Sequence, residues 1–140
     1  MSYLSDKDYN FIYSKSTRFC VDILLVKSGS VFLIKRDLEP YKGKLHFPGG
    51  RVRFRETIYD AIQRIAKTEI GVEVINTPKM IGWMEFLKEK QNGLKRHSIS
   101  IVFKCNIKSK ELHNGVWVKE LSKKIHPIHR KFLKSNRVIF

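Results

Sequence analysis

From Phe19 to Val26 the chain is apolar at every position except Asp22. A run without polar alternation reads as a strand covered on both faces. A second strand, Ser30 to Lys35, follows through Ser28-Gly29-Ser30, which reads as a hairpin turn. Two longer strands, near 79–89 and 96–107, flank Asn92-Gly93, a stronger hairpin signal. A short strand is expected at 116–118. The period changes after Thr57, where Ile58, Ala61, Ile62, Ile65 and Ala66 fall on one face of a helix running to Ile70, with Gly71 placed to end it. Ser5 is suited to cap a short helix through about Tyr13, and another is predicted over about 128–135. No repeat, linker or low-complexity segment appears. Strands with a central and a terminal helix predict a single α/β sandwich domain over residues 1–140.

The densest chemistry lies between the strands and the central helix. Pro48-Gly49-Gly50 predicts a turn that leaves a backbone carbonyl open to a ligand, a hard oxygen suited to Mg²⁺. Glu56, Asp60 and Arg64 recur every fourth residue and share a helix face. Glu69, near the helix end, can aim a carboxylate at a metal held over the Gly49 turn. A glycine turn feeding a helix that offers carboxylate and guanidinium suits a metal-bound diphosphate.

Three polar residues outside this segment have two readings each. A carboxylate at Asp22 costs several kcal/mol in an apolar strand unless it is paired or opens into a site. Arg36 ends the second strand as a clamp for a diphosphate or as an ordinary surface arginine. His113 lies in a turn-like loop before Val116-Trp117-Val118, either solvated or serving as a base near neutral pH.

Gly50, Glu56, Arg64, Glu69, Gly71 and Val72 together resemble the signature of the Nudix family at its spacing. Ile65 and Thr68 stand where that family usually has glutamates. The chain is similar in this respect to the GDP-mannose mannosyl hydrolase subfamily, also in Val21-Asp22-Ile23-Leu24-Leu25-Val26, Ile34-Lys35-Arg36 and Phe47-Pro48-Gly49-Gly50-Arg51-Val52. The resemblance implies an α/β/α sandwich with a mixed sheet and Mg²⁺ (or Mn²⁺) held by the Gly49 carbonyl and Glu69. It implies hydrolysis of GDP-mannose or GDP-glucose at the anomeric carbon, giving GDP and free hexose. By the same resemblance Asp22 orients the sugar, Arg36 neutralises the leaving diphosphate, Arg51 and Arg64 bind substrate, and His113 activates water. Leu112 occupies the place of a glutamine metal ligand in that subfamily. A homodimer involving the segment around Tyr9 and Phe11 is a further expectation of the resemblance. Two alternatives stay open: attack at phosphorus on another nucleoside diphosphate derivative, and a non-catalytic nucleotide- or RNA-binding domain.

Composition narrows the setting. At 140 residues and 42% hydrophobic content, one real core is expected. No apolar run approaches the roughly 20 residues that span a bilayer, and the first residues lack a signal-peptide pattern. Cys20 and Cys105 read as small buried hydrophobes in a reducing, cytoplasmic setting. The net charge of +15 attracts polyanions, and Lys119 to Arg137 holds seven Lys or Arg against one acid. No nucleic-acid module accompanies that charge, so a solvated basic face is the better expectation, with steering of an anionic nucleotide sugar as the next reading. Trp83, Phe86 and Trp117 are expected in the core rather than stacked on a base.

Overall fold

The structure is a computed structural model that describes residues 4–39, 41–108 and 111–138. The expectation on the first residues touches Met1–Tyr3, which fall outside these residues. The elements run α1 (Asp6–Tyr13), β1 (Arg18–Leu24), β2 (Val26–Lys27), β3 (Ser30–Lys35), β4 (Leu45–His46), β5 (Gly49–Arg51), α2 (Ile58–Ile65), a π-helical turn (Ala66–Ile70), β6 (Val74–Gln91), β7 (Leu94–Ile107), β8 (Gly115–Val118) and α3 (Pro127–Ser135).

One sheet has the order β5-β1-β7-β6, with β1 parallel to β7 and the other pairs antiparallel. In the other, β3 pairs antiparallel with β2, β4 and β8. The apolar run through β1 is explained by its two faces. Val21, Ile23 and Leu25 pack with Ala61, Ile62 and Ile65 of α2, while Leu24 packs with Phe132 and Leu133 of α3. Strand β3 divides in the same way, with Phe32 and Ile34 toward α2 and Val31 and Leu33 toward α3. Period-2 side chains between two helical layers make the expected α/β/α sandwich with a mixed sheet.

Both hairpins form as predicted: Ser28 and Gly29 have φ of 50° and 75°, and Asn92 and Gly93 have 53° and 75°. Such paired positive φ values match the turn to the strand twist. Strand β6 starts earlier than expected, at Val74, because register shifts near Pro78 let it continue past the proline. The strand read over Phe19 to Val26 is broken at Leu25, which gives separate β1 and β2.

Ser5 caps α1 by accepting the Asp8 N–H at 3.1 Å, and no residue of that helix is buried. Thr57 caps α2 in the same way, at 3.0 Å from Asp60 N. The last turn of the motif helix widens into the π form, where Thr68 Oγ1 donates to Arg64 O at 2.8 Å. Gly71, at φ 71°, ends it. Two aromatic expectations are corrected: Phe86 is buried, but Trp83 is 63% and Trp117 38% exposed. Trp83 lies on β6, the edge of its sheet, where one face meets no covering layer. No helix of the described residues is long and apolar enough to cross a membrane.

Candidate active site

Asp22 is buried, and it faces the α3 side of β1 where a cavity of about 260 Å³ opens. Ser100 of the neighbouring β7 donates its hydroxyl to Asp22 Oδ2. Burial pushes the carboxyl up from its ordinary 3.8 to about 7; the Ser100 bond opposes this and the charge of Glu69 adds to it. Strand β5 pairs Gly49 opposite Asp22, and a Cβ at position 49 would collide with the Asp22 carboxyl and the Val21 carbonyl. This explains the glycine: the aspartate occupies the room a side chain would need.

The π turn brings Glu69 to the same place. Its Oε1 accepts the Gly49 N–H at 2.8 Å, and burial raises its pKa against the pull of that bond and of Arg64. Asp22, Glu69 and the Gly49 turn therefore form one acidic corner, in which Asp22 and Gly49 line the cavity and Glu69 joins them through the Gly49 N–H without lining it.

Cations line the rest of that cavity. Arg51 lies over the rings of Tyr9 and Tyr13, with 5.8 and 5.4 Å to their centroids. Arg18 bonds Tyr9 Oη at 2.6 Å and Ser98 Oγ at 2.8 Å. Arg36 reaches the cavity from the end of β3, with Nε on the Leu38 carbonyl at 3.0 Å. Helix α1, with no buried residue, is thus anchored at the cavity mouth through Tyr9.

The structure places two other candidate residues outside the lining of this cavity. Arg64, read as binding substrate, gives its guanidinium to Glu56 at 2.8 and 2.9 Å and to the Arg51 carbonyl at 2.9 Å. It braces the motif loop and does not line the cavity. His113, read as the base, lies beside Gly71 at the far end of the motif helix, with its backbone N–H on Ile70 O at 3.0 Å. It too is outside the cavity lining. The helix end separates it from the Asp22 corner, because Glu69 turns toward Gly49 while Ile70 is buried in the core. The motif positions without glutamate are accounted for: Ile65 is core, and Thr68 bonds back to its own helix. The loop Leu112 belongs to is packed on the α2 side, where Leu112 touches the core.

Sequence reasoning missed a group of three histidines, His46, His126 and His129, which line the cavity with Phe86 and Glu89. His126 Nε2 lies 3.4 Å from Glu89 Oε1. Burial lowers the His46 pKa to about 4 and that of His129 well below its ordinary value, and the neighbouring histidines and Arg36 push the same way. One signal was present: His126-Pro127-Ile128-His129 puts two imidazoles at a helix start, one turn apart.

The chain belongs to the NUDIX domain family, whose model matches residues 16–134. It is 34% identical over 100 residues to an ADP-ribose pyrophosphatase of Methanocaldococcus jannaschii, covering 71% of this chain and 57% of that protein. It is 35% identical over 71 residues to the low-salt glycan biosynthesis protein Agl8 of Haloferax volcanii, covering 51% of this chain and 46% of that one. The chain thus spans about half the length of these curated relatives. Among solved structures, a MutT NUDIX hydrolase from Burkholderia pseudomallei superposes with a TM-score of 0.74 at 22% identity, covering 86% of this chain and 98% of that one. The MutT protein from Methanosarcina mazei Go1 gives 0.68 at 22% identity, covering 88% and 94%. At that identity the likeness shows the fold.

Proposed function

We propose that the protein hydrolyses a nucleoside diphosphate sugar in the presence of Mg²⁺, with GDP-mannose or GDP-glucose as substrate and GDP and free hexose as products. The observation that carries this reading is the buried Asp22 carboxyl against Gly49, in one cavity with Arg36 and Arg51. Cations suit the diphosphate, and an acid that is not salt-bridged suits the sugar carbon where positive charge develops.

The donor set fits a metal brought in on the substrate. No group of three or more His, Cys, Asp or Glu among the described residues could hold an ion by itself. Mg²⁺ takes few protein ligands and keeps water and phosphate oxygens. Glu69 and the Gly49 carbonyl would hold it, and Mn²⁺ would take the same oxygens. Bound there, the ion would supply charge neutralisation to the diphosphate. The chain's own part is to clamp the diphosphate with Arg36 and Arg51 and to orient the sugar with Asp22. Glu56 is committed to Arg64, which leaves Glu69 as the motif glutamate at the site. A single such carboxylate is a weak basis for two-metal attack at phosphorus.

A second reading has its own support, since the Methanocaldococcus relative is named an ADP-ribose pyrophosphatase. It would attack phosphorus and release a nucleoside monophosphate with a sugar phosphate. Incubation of the protein with GDP-mannose, GDP-glucose and ADP-ribose in ¹⁸O-water, with and without Mg²⁺, decides between them. Free hexose and unlabelled GDP are expected. Label in a phosphate product would overturn attack at carbon.

A cytoplasmic homodimer completes the proposal. Cys20 and Cys105 are unpaired, as in a reducing compartment. Phe11, Met80, Trp83 and Leu87 are exposed apolar side chains that a second copy would cover.

A further inference from the structure

The tautomers of the three cavity histidines are set by backbone groups whose hydrogen-bonding roles are not in question. The Phe47 carbonyl can only accept, so the His46 Nδ1 that lies 2.7 Å from it carries the proton. The Phe47 N–H can only donate, so the His129 Nδ1 at 3.1 Å is bare and Nε2 carries the proton. Ile128 N–H fixes His126 in the same way at 3.1 Å, leaving its Nε2–H for Glu89. The two groups bonded to Phe47 thus present opposite edges: His46 keeps an Nε2 lone pair, and His129 an Nε2–H donor.

Burial, helped by the charges of Arg36 and His126, keeps His46 and His129 neutral at neutral pH. With a pKa near 4, His46 is too weak a base to take a proton from water efficiently at pH 7. It remains a good hydrogen-bond acceptor. The rings around it are tilted to one another, at 71° for His46 with His129, 61° for His126 with His129 and 71° for Phe86 with His126. Such rings make no parallel slot for a planar base. They offer edges, one lone pair, N–H groups and a carboxylate, which is the chemistry that reads a hydroxylated, non-planar ring. Arg36 borders this histidine group, since its charge bears on both His46 and His129, and Arg18, Arg51 and Tyr9 line the same cavity.

We propose that the histidine-lined part of the cavity is the hexose subsite, in which His46 Nε2 accepts from one sugar hydroxyl, His129 Nε2–H donates to another, and Glu89 accepts from a third. This rests on the reading of the substrate as a nucleoside diphosphate sugar, and it names the residues that hold its sugar.

The test separates sugar from nucleotide by equilibrium binding, so it needs no turnover. Affinities for GDP-mannose and for GDP are measured by calorimetry, with Ca²⁺ replacing Mg²⁺, for the wild type, His46→Phe and His46→Asn. Asn keeps a donor for the Phe47 carbonyl if Phe proves unstable. GDP-mannose is expected to weaken about tenfold in either variant while GDP stays unchanged, the effect of one lost hydrogen bond. Equal weakening of both ligands, or no change in either, would overturn the subsite. Long-range ¹H–¹⁵N spectra of the wild type give a readout without any variant: a proton on His46 Nε2 at neutral pH would also overturn it. Failure of the parent reading looks different, since it shows as absent turnover or as label in phosphate while the binding difference persists.

Discussion

Arg64 holds both carboxylate oxygens of Glu56, at 2.8 and 2.9 Å, and from the same guanidinium reaches the Arg51 carbonyl at 2.9 Å. Glu56 Oε1 also accepts the Arg53 N–H at 3.0 Å, so the pair ties the loop after β5 to the helix. Arg51 is therefore aimed at the cavity by a residue that never enters it.

Removing that brace has a measurable cost. Arg64→Ala leaves Glu56 and the Arg51 carbonyl without their charged donor, a loss of about 2 kcal/mol for a partly buried charged hydrogen bond. The expected fall in Tm is about 6 °C for a domain of this size. Arg64→Lys keeps the charge without the planar fork and should fall between the two. Thermal unfolding of both variants checks the order; a Lys variant as stable as wild type would mean that charge alone suffices.

At Gly49 the constraint is steric. A methyl group there has to displace the Asp22 carboxyl or the Val21 backbone. Gly49→Ala is expected to cost about 1–3 kcal/mol of stability from overpacking, and to lower kcat/KM by about a hundredfold through misplacement of the Asp22 corner. Gly50→Ala is the control, because the nearest neighbour of its added Cβ is Ile65 Cδ1 at 3.5 Å, an ordinary contact. Equal kinetic losses in the two would remove the special standing of Gly49.

Much of this corner was legible from local pattern. A single carboxylate in an apolar strand announced Asp22, and Pro48-Gly49-Gly50 before a helical period announced the turn that faces it. The histidine part of the cavity was not legible, because nothing local joins residue 46 to residues 126 and 129. They meet through tertiary pairing: Leu45 N bonds Lys124 O and His126 N bonds Leu45 O, both at 2.8 Å. Strands β4 and β5, of two and three residues, are too short to show a period. Glu56 and Arg64 share the expected helix face, where each is the other's partner. Edge position, which sequence does not reveal, left Trp83 exposed on β6.

His113 gives a prediction against the family resemblance. The described geometry seats its ring on Gly71, where an added Cβ would come within 2.9 Å of Nδ1. His113→Ala should leave kcat/KM for a nucleoside diphosphate sugar within about twofold of wild type, since the ring lies outside the cavity. A loss of 10²-fold or more, the usual contribution of a general base, would return it to the chemistry.

Acid titration tests the buried groups as a set. Asp22 has its folded pKa raised from 3.8 to about 7, so between those values the folded protein holds a proton that the unfolded chain has released. Its contribution to stability is present below about pH 4 and is lost as pH rises toward 7. His46, lowered from 6.5 to about 4, has the opposite sign, and its contribution is lost as pH falls from 6.5 toward 4. His129, lowered further, acts in the same sense as His46. Over pH 4 to 6.5 one carboxyl therefore offsets one imidazole, and the wild type should lose stability with acid more gently than its histidines alone would dictate. Asp22→Asn removes the offset. The variant's unfolding free energy should fall more steeply on acidification over that range, by about 1.4 kcal/mol per pH unit, the linkage of one additional proton. Urea titrations at half-unit pH steps measure both slopes. Parallel profiles for variant and wild type would show that Asp22 ionises in the folded protein as it does in the unfolded chain, and that its burial carries no protonation cost.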